Sequence, residues 1–269
     1  MNKTKYKYDI AVIGCGNMAT AIIGCARDKF KLIVSDIDAK KVSPLVGKNV
    51  TAAASNADAA AQAKYVLLAV KPQAAEDALK GIDFSGKILI SVMAGTTVAR
   101  LSEIAQGVSG IVRTMPNISA QDGMCSGVVC YNGVHEKDEK YIEGFLRTFG
   151  LMLKCDEDKF SIVTGLTGSG PAFLFKFMRG LAAAALENGL KVEETRRLVG
   201  AMIYGGTVVV TSKERNENFE ERLSRFIDEV CSPGGTTIEG VKYLDEMKFE
   251  DTVKEAVLRA KRRAEELSS

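Results

Sequence analysis

Three short stretches of this 269-residue chain combine residue types and spacings that could do chemistry: Ile13-Gly14-Cys15-Gly16-Asn17-Met18-Ala19, Thr164-Gly165-Leu166-Thr167-Gly168-Ser169-Gly170-Pro171, and Cys231-Ser232-Pro233-Gly234-Gly235-Thr236-Thr237-Ile238. In the first, Gly14 permits a tight turn, Gly16 lets a pyrophosphate approach the backbone, and Ala19 is small enough for a helix to pack on a sheet. A phosphate would then rest on the free N–H groups of the helix that follows. Asp36 stands 22 residues beyond Gly14. An acid there accepts hydrogen bonds from adenosine ribose hydroxyls and repels a 2′-phosphate, which tilts the cofactor toward NAD(H) unless Asp36 caps the next turn instead.

The third stretch reads as a helix start, with Ser232 as N-cap and Pro233 at the first position. The N–H groups of Gly234, Gly235, Thr236 and Thr237 would be its unpaired donors, a seat for a small carboxylate. The alternative is a proline-started helix with a flexible entry. The second stretch sets small residues ahead of a helix with Pro171 near its first position. The single histidine, His135, lies in a polar connection where nothing nearby could orient it as a base, so it reads as a surface residue. Six cysteines form no C-x-x-C pair, and no metal centre is expected.

Apolar runs supply the elements that must hold these stretches. Strands are expected at Ile10 to Ile13, Leu32 to Val34, Tyr65 to Val70, Ile88 to Val92 and Gly110 to Arg113, with Ser126 to Tyr131 and Leu151 to Cys155 extending the sheet. Ala52 to Ala63 reads as a helix capped near Ser55 and Asn56. The strands end in Ala69-Val70-Lys71-Pro72, Met93-Ala94-Gly95 and Met115-Pro116-Asn117, at the carboxyl edge where ligands of open α/β sheets bind. After residue 155 the period turns helical: Ala172 to Asn188, Val192 to Ser212, Phe219 to Val230, Thr236 to Met247 and Phe249 to Leu267. The predicted fold is therefore an α/β Rossmann domain with a mostly parallel sheet over 1–155, followed by an all-α domain over 156–269. Gly189 is expected to stop the first long helix, and Lys213 to Glu221 to be the helical domain's most exposed connection.

The chain is 46% hydrophobic and 26% charged with a net charge of +2, an ordinary globular composition that gives no case for nucleic acid or an acidic membrane. Lys261-Arg262-Arg263 beside Glu265-Glu266 reads as a solvated helix face. Lys176 and Arg179 interrupt the longest apolar stretch, and the run behind the basic Met1 to Lys7 segment is too broken for a signal peptide. With unpaired cysteines, a cytoplasmic location is expected.

The stretches Ile13 to Met18, Ala69 to Pro72, Ala94-Gly95, Met115-Pro116-Asn117, Gly168 to Ala172 and Ser232 to Ile238 together resemble pyrroline-5-carboxylate reductases along essentially the whole chain. The resemblance implies a helical dimerisation domain whose interleaved helices complete each active site, with assembly up to a decamer. It implies NADP(H) or NAD(H) contacts at Ile13, Gly14, Cys15, Gly16, Asn17, Met18, Ser35, Asp36, Asn56, Ala69, Val70, Lys71, Pro72, Met93, Ala94 and Gly95. Substrate contacts map to Ser232, Gly234, Gly235, Thr236 and Thr237, and less firmly to Glu157 and Glu220. Asp36 departs from the neutral or basic patch that many members carry.

The expected reaction is hydride transfer to the C=N carbon of a cyclic imine, which asks chiefly for alignment of two reactants. Thr237 would orient or protonate the ring nitrogen, and Ser169 would shape the opposite wall. Two other readings stay open. A β-hydroxyacid dehydrogenase would need a general base, with Lys176 as the candidate. A nucleotide sensor would bind cofactor without turnover.

Overall fold

The computed structural model describes residues 6–211 and 218–268. An eight-stranded sheet forms from β1 (Tyr8–Ile13), β2 (Leu32–Ser35), β3 (Val50–Ala52), β4 (Ala63–Leu68), β5 (Ile88–Ser91), β6 (Gly110–Met115), β7 (Cys125–Asn132) and β8 (Gly150–Lys154). Its order is β3-β2-β1-β4-β5-β6-β7-β8. All neighbours are parallel except β6 and β7, which run antiparallel. The chain reverses direction in space between β3 and β4, so β1 and β4 stand side by side at a switch point, where such sheets open a crevice.

The central strands are apolar on both faces because both are covered. Along β1, Ile10 and Val12 feed one core while Ala11 and Ile13 feed the other, and all four are fully buried. The covering helices are α1 (Asn17–Ala26), α2 (Ala39–Val42), α3 (Asn56–Ala61), α4 (Ala75–Leu79), α5 (Val98–Ile104) and α6 (Glu136–Leu146). Ile22, Ile23 and Ala26 bury one side of α1. On the opposite face α3 begins with a reciprocal cap: Ser55 Oγ accepts the Asp58 N–H, and the Asp58 carboxylate accepts the Ala54 N–H. The helix expected from Ala52 to Ala63 is thus shorter, because Val50–Ala52 pairs with β2 and Ala63 already belongs to β4.

Beyond β8, α7 (Phe160–Val163) leads into a π-helical turn, Thr164–Gly168. Then come α8 (Gly170–Glu187), α9 (Val192–Thr211), α10 (Phe219–Val230), α11 (Thr236–Glu246) and α12 (Phe249–Glu266). Gly189, at φ +91°, closes α8: its N–H donates to the Leu186 carbonyl, and that of Leu190 to Ala185. Residues 213–217 of the expected exposed connection lie outside the described residues, and α10 begins at Phe219, within that stretch.

Packing groups the chain through Pro171 with the tail from Val257, and Ala172–Ala256 forms a second unit. That helical unit has almost no interior of its own. No residue of α8 or α11 is buried, and in α9 and α10 the buried residues are the polar Thr195 and Arg222. Phe175, Leu198, Tyr204 and Val230 are more than half exposed in the single chain. No helix among the described residues is long and apolar enough to cross a membrane.

Candidate functional site

The glycine-rich loop joins β1 to α1 at the switch point. Gly14 has φ +91°, and a side chain there would bring Cβ to 2.7 Å from the Ala69 carbonyl oxygen at the end of β4. Gly16, by contrast, has φ −75° and open space where a Cβ would stand. It is the N-cap of α1 and offers no side-chain cap, so the first N–H groups of that helix keep their capacity for an anion. The Cys15 N–H is already engaged, donating to Asp36 Oδ2 at 2.7 Å.

Asp36 does two jobs at the end of β2. Its second oxygen accepts the Asp38 N–H at 2.9 Å, the local turn that the sequence left as an alternative, and Lys41 Nζ stands 3.9 Å away. The carboxylate therefore ties the glycine loop to the β2 turn while lining the cavities on either side of it. Burial, then the Asp36 charge, push the Cys15 thiol up to about 12, so it stays a neutral thiol within the loop.

Ile13, Gly14, Gly16, Asp36, Asn56, Ala69, Val70 and Lys71 line one cavity of about 430 Å³. It adjoins a wider cavity of about 890 Å³ walled by Ser35, Asp36, Ile37, Asn56 and the end of α4. Asn56 is fixed there by donating to the Ala78 carbonyl at 2.9 Å. Asn17 is exposed and Met18 half-buried at the start of α1. Met93 buries its side chain in the core, leaving its backbone and the exposed Ala94 at the edge of β5. Pro72 and Gly95 line a separate 360 Å³ cavity beside Leu267, the last turn of the chain seating its carbonyl against the Gly95 turn. Sequence reasoning overlooked Ile37, wholly exposed at the cavity mouth, as well as Lys41, Asp77 and Lys80. The four- and five-residue helices carrying Lys41 and Asp77 are too short to show a period.

The Ser-Pro-Gly-Gly stretch departs from its expected geometry. Ser232 is not the N-cap, nor Pro233 the first helical residue. The Gly235 N–H donates to the Ser232 carbonyl at 3.0 Å, closing a β-turn with Pro233 and Gly234 at its centre, and Gly234 takes φ +69°. Proline followed by a left-handed glycine is the pattern of a type II turn. Gly235 then caps α11, which starts at Thr236. Because the Ser232 side chain folds over this turn, a Cβ on Gly235 would lie 2.5 Å from Ser232 Oγ. The donors facing outward are therefore Thr236, Thr237 and Ile238, while Gly235 spends its N–H inside the turn.

Glu157 serves an internal clamp. Its Oε1 accepts from Arg113 Nη1 at 2.6 Å and from the Val98 N–H at the start of α5 at 2.7 Å. The Arg113 guanidinium also stacks 4.5 Å from the Phe160 ring. Glu220 is exposed in the first turn of α10, its N–H donating to the Asn218 cap. Ser169 closes the π-turn by donating its N–H to the Thr164 carbonyl at 2.9 Å. His135 is exposed and caps α6, its Nδ1 accepting the Lys137 N–H. Lys176 is exposed on α8. All six cysteines are free thiols, and no cluster of metal-ligating side chains occurs among the described residues.

Residues 157–267 match the pyrroline-5-carboxylate reductase dimerisation family, and residues 9–95 match the family described as NADP oxidoreductase, coenzyme F420-dependent. The chain is 32% identical to pyrroline-5-carboxylate reductase of Aquifex aeolicus, over 96% of this chain and 97% of the relative. It superposes on Plasmodium falciparum pyrroline carboxylate reductase with NADP bound at a TM-score of 0.86 and 27% identity, covering 98% and 99% of the two chains. The Streptococcus pyogenes 1-pyrroline-5-carboxylate reductase gives 0.84 and 29%, covering 96% and 98%.

Proposed function

This chain belongs to the pyrroline-5-carboxylate reductase family, and on that premise we propose that it reduces 1-pyrroline-5-carboxylate to L-proline with NAD(P)H. The observation that carries the reading is the pairing of two anion seats in one chain. One is the uncapped start of α1 at the sheet's switch point, and the other is the Gly235-capped start of α11. A dinucleotide fits the first: Gly16 leaves room at the backbone where a pyrophosphate must approach, and the cavity walls continue past Asp36 and Asn56. The nucleotide, when bound, supplies the hydride.

The protein's part is alignment. The N–H groups of Thr236, Thr237 and Ile238 hold the substrate carboxylate, so the ring is fixed by its one permanent charge. The Thr237 hydroxyl faces the ring nitrogen, orienting it or relaying the proton that leaves proline as a secondary amine. Gly234 and Ser232 shape the wall around the carboxylate, and Ser169 is a substrate contact by the family resemblance. Glu157 and Glu220 lie at the periphery in this scheme, Glu157 with one oxygen committed to Arg113 and Val98. Aligning the reactants at about 3–3.5 Å accounts for most of the acceleration such a reaction needs.

Asp36 supports a preference for NADH, because a 2′-phosphate would meet a carboxylate already fixed in place. The exposed apolar surface of α8 to α11 supports a homodimer through residues 157–267. A cytoplasmic location fits the free thiols. The test is loss of reduced-nucleotide absorbance with pyrroline-5-carboxylate, run with NADH and NADPH, with proline identified as product. Cofactor consumption without proline would overturn the assignment.

A further inference from the structure

Asn117, in the loop after β6, is buried and makes several directed contacts. Its side-chain nitrogen donates to the Thr167 carbonyl at 2.9 Å and to Ser126 Oγ at 3.1 Å, while its Oδ1 accepts the Ser119 N–H. The Thr167 contact spans fifty residues of sequence. Thr167 lies in the π-turn Thr164–Gly168, just ahead of α8.

In a helix the carbonyl of residue 167 accepts the N–H of residue 171. Residue 171 is proline, which has no N–H. The Asn117 carboxamide stands in for the donor that Pro171 cannot provide, so the carbonyl of the half-buried Thr167 has a partner. The same turn is held from two further sides. A Cβ on Gly168 would come within 3.0 Å of Met115 Cε, and one on Gly165 within 2.6 Å of the Val257 carbonyl oxygen. The Ser169 N–H, reaching back five residues to Thr164, then fixes where Ser169 and Gly170 emerge. π-Turns of this kind occur mostly as single insertions and often at functional sites.

We propose that Asn117 is a positioning residue for the substrate wall: by replacing the missing Pro171 N–H it fixes the π-turn that sets Ser169. This rests on the imine-reductase reading, in which Ser169 faces the substrate. It accounts for two separated stretches, Met115-Pro116-Asn117 and Gly168-Ser169-Gly170-Pro171, as two halves of one device. Proline makes the irregular turn possible by removing a helical bond, and asparagine makes it stable by filling the vacancy.

The experiment is a double-mutant cycle of Asn117→Leu and Pro171→Ala, reading kcat/KM for the imine and, separately, Kd for the reduced nucleotide. Asn117→Leu is expected to lower kcat/KM roughly tenfold, as loss of one directed hydrogen bond does, with nucleotide Kd changed less than twofold. Alanine at 171 restores an N–H to the turn, so Asn117→Leu in that background should cost threefold or less. Equal losses in both backgrounds would overturn the proposal, as would a parallel loss of nucleotide affinity. If Asn117→Leu alone gives no soluble protein, recovery of soluble, nucleotide-binding protein in the double mutant supports the proposal, and its continued insolubility counts against it. A wild-type protein that makes no proline would instead overturn the functional reading, and would do so before any variant is compared.

Discussion

Asp36 Oδ2 accepts the Cys15 N–H at 2.7 Å, so the acid at the end of β2 and the glycine loop at the end of β1 form one rigid lip. An adenosine ribose entering there meets a carboxylate that cannot swing away without releasing the loop. Asp36→Asn keeps an acceptor oxygen and removes the charge. The ratio of kcat/KM with NADPH to that with NADH should rise about tenfold, equivalent to about 1.4 kcal/mol. An unchanged ratio would show that the charge does not set the preference.

Gly14 and Gly16 should fail in different ways when changed to alanine. At Gly14 the new methyl collides with the Ala69 carbonyl and the backbone sits at φ +91°, so stability should fall by about 2 kcal/mol or more in urea unfolding. At Gly16 the methyl meets open space and φ is ordinary. That variant should keep its unfolding midpoint and lose roughly tenfold in nucleotide affinity, because the methyl occupies ground a pyrophosphate needs. Isothermal titration separates the two outcomes.

Thr237→Ala should lower kcat/KM for the imine by about 1–3 kcal/mol, the range for one well-aligned hydrogen bond lost at the transition state. Thr237→Ser should retain most of the activity. If alanine and serine behave alike, the hydroxyl has no part in the chemistry.

Acid should weaken the Rossmann domain through Asp138. Burial opposes its charge, but hydrogen bonds from Lys64 and Tyr65, each 2.6 Å from Oδ1, hold its carboxyl below the ordinary 3.8. The folded protein therefore binds a proton there less readily than the unfolded chain. Its stabilisation is complete above the ordinary value and drains away as pH falls through the lower folded value. Unfolding midpoints taken between about pH 2 and pH 7 should show a shallower acid limb in Asp138→Asn than in the wild type.

Much of this was legible in the sequence, because burial on both faces writes strands such as Ile10 to Ile13 and Val66 to Leu68 as plain apolar runs. Ser55 announced the start of α3, and Gly189 the end of α8, through chemistry local to each. β3 escaped notice because it is three residues at a sheet edge with Val50 alone buried, too little to make a pattern. The Ser232 stretch was misplaced for a different reason: proline has the same φ at a helix start as at the second position of a β-turn. What decides between them is the left-handed Gly234 and the Ser232 side chain lying over Gly235, both consequences of folding. The π-turn was invisible too, since the donor that completes it comes from Asn117, far away in the chain.

Helices whose described residues find almost no interior of their own also bear on the order of events after synthesis. The sheet and its covering helices can close as soon as one copy is complete, whereas the amphipathic α8 to α11 gain their apolar contacts on meeting a second copy. Recovery of activity from denaturant should therefore lag behind recovery of sheet structure, with a delay that shortens in proportion as more protein is added. Under the proposed homodimer, abundance would itself control competence: few copies would leave nucleotide-ready halves, and many would make working catalysts.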